Sequence, residues 1–135
     1  MSTLEREDYV RVSARELIAV VDDDPGILRS LSSLLRSAGF RVATFGSAEA
    51  FLASAERGEA QCLILDLEMD GMGGLALLAH IGKPLTIPTV VLTARQNEEL
   101  RTRALDAGAH AFLLKPPVAA VLFDTIAEAV ARATP

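Results

Sequence analysis

Residues 62 to 71 read CLILDLEMDG, and the fold turns on whether the apolar CLIL closes a helix or forms a buried strand. Asp66, Glu68, Asp70 and Gly71 fall at the first, third, fifth and sixth places of a calcium-binding EF-hand loop. That loop also needs a bidentate glutamate at its twelfth place, which here is Leu77, and it prefers Asp or Asn where Glu68 stands. It must follow a helix. CLIL is a short apolar run bounded by polar residues, which reads as a buried strand. Asp66 is then the first residue beyond a strand's carboxyl end rather than the opening ligand of a calcium loop.

Outward from this run, apolar stretches and helical periods alternate along the chain, the pattern of a parallel α/β sheet. LIAVV (17–21), RVATF (41–45), CLIL, TVVL (89–92) and AFLL (111–114) are the expected strands. After the first strand, Asp24 can cap a helix with Pro25 at its first position, and Ile27, Leu28, Leu31, Leu34 and Leu35 share one face up to Gly39. Ser47 can cap a second helix carrying Phe51, Leu52 and Ala55 and stopping at Gly58. GLALLAHI predicts a helix ending around Gly82, NEELRTRALDA one closed by Gly108, and VAAVLFDTIAEAVARA the last. Five βα units therefore fill residues 17–133, with a polar extension over 1–16 and a short tail at 134–135. The extension reads either as a flexible head or as an extra helix using Leu4, Tyr9 and Val10.

With 135 residues, half of them hydrophobic and 23% charged, the chain has the makings of one soluble domain with its own core. No apolar run approaches the roughly 18 residues that a membrane span requires. Four acidic residues (Glu5, Glu7, Asp8, Glu16) and no apolar stretch mark the first 16 positions, so a secretory signal is not expected there. The single cysteine, Cys62, excludes an internal disulfide framework and reads as a buried structural thiol. A cytoplasmic location is expected. The net charge of -5 argues against direct nucleic-acid binding, which needs a basic face.

In open parallel sheets, sites form beyond the carboxyl ends of the strands. Here the first strand ends in Asp22, Asp23 and Asp24, the third in Asp66, the fourth in Thr93 and the fifth in Lys115. Singly, Asp24 is a helix cap, Thr93 a turn cap and Lys115 a solvated end. Together they converge on one rim. Clustered carboxylates repel one another unless a cation compensates. Lys115 supplies one positive charge, and an all-oxygen donor set without His or Cys favours Mg²⁺, with Mn²⁺ as a substitute, over Zn²⁺. Because Mg²⁺ usually shares its shell with phosphate oxygens, the rim looks suited to a phosphoryl group, with Asp66 as a carboxylate nucleophile and Thr93 as a hydrogen-bond donor.

Four segments in order, VVDDDP, LILDLEMDGMGG, IPTVVLTA and AFLLKPP, carry a resemblance to the receiver domain of bacterial two-component response regulators. The resemblance covers about residues 17 to 133. It implies a flavodoxin-like, doubly wound, five-stranded parallel sheet of order 2-1-3-4-5 with five helices. By the same resemblance Asp66 is the phosphoacceptor, Asp23 a direct Mg²⁺ ligand, Asp22 a mostly water-mediated one, and the backbone carbonyl of Glu68 a further contact. Thr93 and Lys115 match the hydroxyl and ammonium that engage the phosphoryl group. Phe112 matches the aromatic switch position, although by itself it reads as an ordinary core or surface aromatic. Lys115-Pro116 matches a cis peptide. The implied partner is a histidine kinase or a histidine phosphotransfer protein, and the implied output surface, which could also serve a homodimer, is helix 4, strand 5 and helix 5.

Two positions depart from the family pattern. Asp70 stands where a proline is usual, and Pro117 where a phenylalanine is usual. Glu68 and Arg95, two residues beyond Asp66 and Thr93, flank the mouth of the implied site, either as a pair that hinders water or as two solvated charges. Two other readings use the same acids. An aspartyl-phosphate phosphatase expects an acid pair separated by one residue, which Asp22 and Asp24 satisfy, but the chain has no cap domain. A degenerate receiver would act by docking alone. An FMN site is disfavoured by the acidic loop after the first strand. SAEAFLA and the fourth helix are similar to receivers joined to helix-turn-helix outputs, so the chain reads either as a stand-alone receiver or as a receiver from a longer regulator.

Overall fold

The computed structural model describes residues 16–69, 71–81 and 86–133. Expectations for residues 1–15, for Asp70, for the helix end at Gly82 and for 134–135 fall outside the described residues. The elements run β1 (Leu17–Val21), α1 (Pro25–Ser37), β2 (Arg41–Phe45), α2 (Ala48–Leu52), β3 (Cys62–Leu65), α3 (Gly74–Ile81), β4 (Thr89–Thr93), α4 (Glu98–Asp106), β5 (Ala111–Leu114) and α5 (Ala119–Ala133). All strand pairs are parallel, in the order β2-β1-β3-β4-β5. This is the flavodoxin-like arrangement expected from the sequence. Glu16 already joins the sheet, since its carbonyl accepts the Arg41 N–H at 3.1 Å.

The central strands β1, β3 and β4 are buried along their whole length, which is why they read as unbroken apolar runs. Alternate side chains divide between two cores. Ala19, Val21, Leu63, Leu65 and Val91 pack with Phe51 of α2, Leu77 and Leu78 of α3, and Ala104 of α4. Ile18, Val20, Cys62, Ile64, Val90 and Leu92 pack with Leu31 and Leu35 of α1 and Leu122 and Ile126 of α5. Cys62 is fully buried and its thiol is pushed up to about 12 by desolvation, as befits a structural residue.

Helix boundaries follow local chemistry. Asp24 caps α1 by accepting from Gly26 N–H at 2.8 Å and Ile27 N–H at 3.4 Å, with Pro25 opening the helix. Ser47 caps α2 through Ala50 N–H, and Asn97 caps α4 through Leu100 N–H. Gly39 and Gly108 terminate α1 and α4 with φ of 95° and 108°, angles at which a side chain would be strained. α2 is shorter than its pattern suggests. It ends at Leu52, and Ser54 bonds back to the Phe51 carbonyl at 2.6 Å before a separate 3₁₀ turn over Glu56–Gly58. β4 runs one residue further than the apolar run, taking in Thr93.

Candidate functional site

Parallel register aligns Val21 with Leu65, Leu65 with Val91, and Val91 with Phe112, so the chains leave the sheet at a common rim. Backbone bonds hold the next residues in the ladder. Asp22 N–H donates to the Phe45 carbonyl at 3.1 Å, Asp66 N–H to Val21 at 3.0 Å, and Lys115 N–H to Thr93 at 2.8 Å. Each reactive side chain is thus carried on a residue whose backbone is already fixed.

At this rim the carboxylate oxygens of Asp22, Asp23 and Asp66 lie within 4.8 Å of one another. Asp22 and Asp66 are buried, at 2% and 6% exposure, whereas Asp23 faces solvent. Lys115 reaches in from beyond β5, with Nζ 2.5 Å from Asp22 Oδ2 and 3.5 Å from Asp66 Oδ2. The remaining Asp22 oxygen accepts the Asp24 N–H at 2.9 Å, and Asp66 Oδ1 accepts the Glu68 N–H at 3.1 Å.

Burial raises the pKa of Asp66, and the nearby charge of Asp22 adds to this, while the Glu68 N–H and the charge of Lys115 oppose it. Burial pulls Lys115 down, but its bond to Asp22 and the charges of Asp66 and Asp22 outweigh that and leave it raised. Two buried acids share one ammonium, so the pocket retains an excess of negative charge. An all-oxygen donor set with excess negative charge fits a hard divalent cation. Thr93 Oγ1 is fully buried with no hydrogen-bond partner, a cost normally tolerated only where the group serves another purpose.

Phe112 and Thr93 lie on the same face of neighbouring strands, since Val91 pairs with Phe112 and Thr93 lies two residues beyond Val91. Phe112 is half-buried against the core on the α2–α3–α4 side and lines a depression of about 180 Å³ with Asn97, Arg101 and Leu114. Among the described residues the exposed large apolar side chains are Leu114 at the end of β5 and Val118 and Val121 around the start of α5. Arg95 Nε lies 3.6 Å from Glu68 Oε1. Beside Lys115, an apolar groove of about 400 Å³ runs between Ile27 and Leu31 of α1 and the Pro116–Pro117 turn. The Lys115-Pro116 bond is cis.

The structure therefore brings together Asp22, Asp23, Asp66 and Lys115, and leaves Asp24 out. Its carboxylate is taken up by the α1 cap, so the acid pair with one residue between them does not form. Two residues near the site carry no sequence signal of their role. Glu49 bonds to the Met72 N–H across 23 residues, a contact invisible to local patterns. Gly74 packs so closely that a Cβ there would lie 2.5 Å from the Asp66 carbonyl oxygen.

A doubly wound sheet with acids at the ends of β1 and β3 and a lysine beyond β5 defines a class of α/β domain with an acidic rim pocket. A family model described as the response regulator receiver domain matches residues 18–127. Nodulation protein W of Bradyrhizobium diazoefficiens is 33% identical over 125 residues, covering 92% of this chain and 55% of that protein. Response regulator protein TmoT of Ectopseudomonas mendocina is 41% identical over 103 residues, covering 74% of this chain and 46% of that protein. A crystal structure of a receiver domain protein from Clostridium thermocellum superimposes with a TM-score of 0.81 at 27% identity, covering 87% of this chain and 96% of that one. The chain belongs to the response regulator receiver domain family, the signal-receiving module of two-component systems. It spans about half the length of the curated relatives it matches. Among the described residues no helix is long and apolar enough to cross a membrane.

Proposed function

We propose that residues 17–133 form a receiver that accepts a phosphoryl group on Asp66 from a histidine kinase or a histidine phosphotransfer protein. The observation that carries this reading is the convergence of the Asp22, Asp23 and Asp66 carboxylates with the Lys115 ammonium, with a buried, unpartnered Thr93 hydroxyl at the end of the neighbouring strand β4. In the transfer an Asp66 oxygen forms a bond to phosphorus as the phosphorus–nitrogen bond of the donor breaks, and the donor imidazole leaves with that electron pair. Lys115 stands ready to pair with a phosphoryl oxygen in place of Asp66 Oδ2. Thr93 then donates its unused hydroxyl.

Asp22, Asp23, Asp66 and the Glu68 backbone carbonyl would hold Mg²⁺, or Mn²⁺ in its place. When bound, the ion offsets the negative charge of the pocket and of the incoming group. The chain's own chemistry would be limited to its phosphorylation and the later hydrolysis of the acyl phosphate, without turnover of a free substrate. The groove between α1 and Pro116–Pro117 opens beside Lys115, which supports approach of a partner from that side.

Phosphorylation adds roughly one to two negative charges at Asp66. Movement of Thr93 toward them frees space on the face it shares with Phe112, and the change is delivered to the α4–β5–α5 surface. That surface, with Leu114, Val118 and Val121 exposed, serves partner binding or homodimerisation. Direct nucleic-acid or membrane binding by this domain is not part of the proposal, and a cytoplasmic setting accords with the proposed kinase partner.

Acetyl phosphate or beryllofluoride with Mg²⁺ is expected to modify the wild type and not Asp66→Asn, read by intact mass or by amide shifts. Equal modification of Asp66→Asn sinks the assignment. Turnover of phosphomonoesters would favour the phosphatase reading. Absence of Mg²⁺ binding in the wild type would leave a docking module.

A further inference from the structure

We propose that Glu49 is a positioning residue for the acidic pocket, holding the loop between β3 and α3 so that the Glu68 backbone stands correctly at the metal position. The inference rests on the metal-assisted reading given above.

The loop from Asp66 to Gly73 reads DLEMDGMG, with two glycines and no proline, so little in its own sequence restrains its backbone. Its first part is tied locally, through Glu68 N–H to Asp66 Oδ1 at 3.1 Å and Gly74 N–H to the Leu67 carbonyl at 3.4 Å. Its far side is tied to a different βα unit. Glu49, in the first turn of α2, accepts the Met72 N–H on Oε1 at 3.3 Å.

The neighbouring glycine is shaped to this contact. Gly71 has φ of 73°, a left-handed angle, and a Cβ added there would sit 3.1 Å from Glu49 Oε2. A side chain at 71 would be strained by its backbone and pressed against the carboxylate. The absence of one lets the loop backbone come close enough for Met72 to donate. A bond from a backbone N–H to an ionised carboxylate is stronger than a neutral one, which suits a restraint exposed to water. The held residue, Met72, lies four residues after Glu68, whose own N–H rests on Asp66. Restraint at Met72 therefore limits how far the Glu68 peptide can swing from the pocket.

Amide exchange in the metal-free full chain and Mg²⁺ titration followed by amide shifts test the idea together. Glu49→Ala is expected to speed exchange at Met72 about fivefold and to weaken Mg²⁺ binding about threefold, the scale of one lost hydrogen bond. Glu49→Gln keeps an acceptor oxygen without the charge and is expected to recover most of both. Faster exchange with unchanged Mg²⁺ affinity overturns the proposal, because Glu49 would then only tie the loop. Equal weakening in Glu49→Gln and Glu49→Ala also overturns it, since the carboxylate's charge would be acting on the ion directly. A wild type that binds no Mg²⁺ removes the metal reading itself, and that result appears before any substitution at 49 is made.

Discussion

The Lys115 ammonium lies 2.5 Å from Asp22 Oδ2, joining two groups 93 residues apart, with Asp66 Oδ2 at 3.5 Å on its other side. Because pairing outweighs burial, the Lys115 pKa is raised above its usual 10.5. A cation with a raised folded pKa contributes stability that is fully present below the unfolded value and is lost as pH rises through the folded one. Lys115→Met is expected to cost about 2 kcal/mol at neutral pH by leaving two acids without their cation. The difference from wild type should narrow at strongly alkaline pH. Urea unfolding across that range checks both statements, and an unchanged midpoint at neutral pH would contradict them.

Asp66 follows the same direction of dependence, but in the acid range. Burial holds its pKa above the usual 3.8, so its stabilising contribution is present below that value and lost as pH rises through the raised pKa. At neutral pH the ionised carboxylate is therefore a burden on the fold. Asp66→Asn is expected to have the higher urea midpoint at pH 7, with the gap closing in acid. A wild type that is the more stable of the two at pH 7 would refute this.

Thr93 Oγ1 is buried without a partner, and an unsatisfied hydroxyl costs about 1–3 kcal/mol. Thr93→Val is accordingly expected to match or exceed wild-type stability. Its cost should appear elsewhere, as a smaller change in the Phe112 ring resonances when beryllofluoride and Mg²⁺ are added. Loss of stability with an intact Phe112 response would assign the hydroxyl a structural role instead.

Gly74 leaves no room for a methyl group, with the Asp66 carbonyl oxygen at 2.5 Å and Leu67 Cδ2 at 2.7 Å from a built Cβ. Gly74→Ala is expected to destabilise the fold by about 1–3 kcal/mol, because α3 must move off the end of β3. Slower phosphorylation should accompany the loss, since the displaced backbone belongs to Asp66. Thermal melting and acetyl phosphate kinetics on one preparation provide the check.

Glu68 Oε1 and Arg95 Nε lie 3.6 Å apart, with Arg95 largely and Glu68 partly exposed to water, so the pair adds little to stability. Its expected effect is kinetic. Glu68→Ala and Arg95→Ala should each shorten the phosphorylated lifetime about twofold to fivefold, against changes in stability of under about 1 kcal/mol. Unchanged lifetimes would reduce the pair to two solvated charges.

Much of the fold was legible from local patterns. Strands buried on both faces demand unbroken apolar runs, so LIAVV and CLIL announced themselves, and Asp24 and Ser47 mark helix starts because their side chains satisfy the first free N–H groups. Asn97, which the pattern placed inside its helix, instead caps α4. α2 was misjudged in length because its apolar period continues past Leu52, whereas the hydroxyl of Ser54 takes the Phe51 carbonyl and the chain turns.

The sequence by itself determined which residues share the rim, since Asp22, Asp23, Asp66, Thr93 and Lys115 all follow apolar strand runs and the parallel rule sends those ends to one side. Tertiary structure decided how they divide the work. Asp22, Asp23 and Asp24 are equivalent as letters, yet one is buried against Lys115, one faces solvent within the acid cluster, and one is committed to capping α1. Glu49 and Gly74 acquire their places only when α2 and α3 close over the end of β3. Those contacts join residues from different βα units or depend on a close backbone approach, and neither distance nor burial is written in a local pattern.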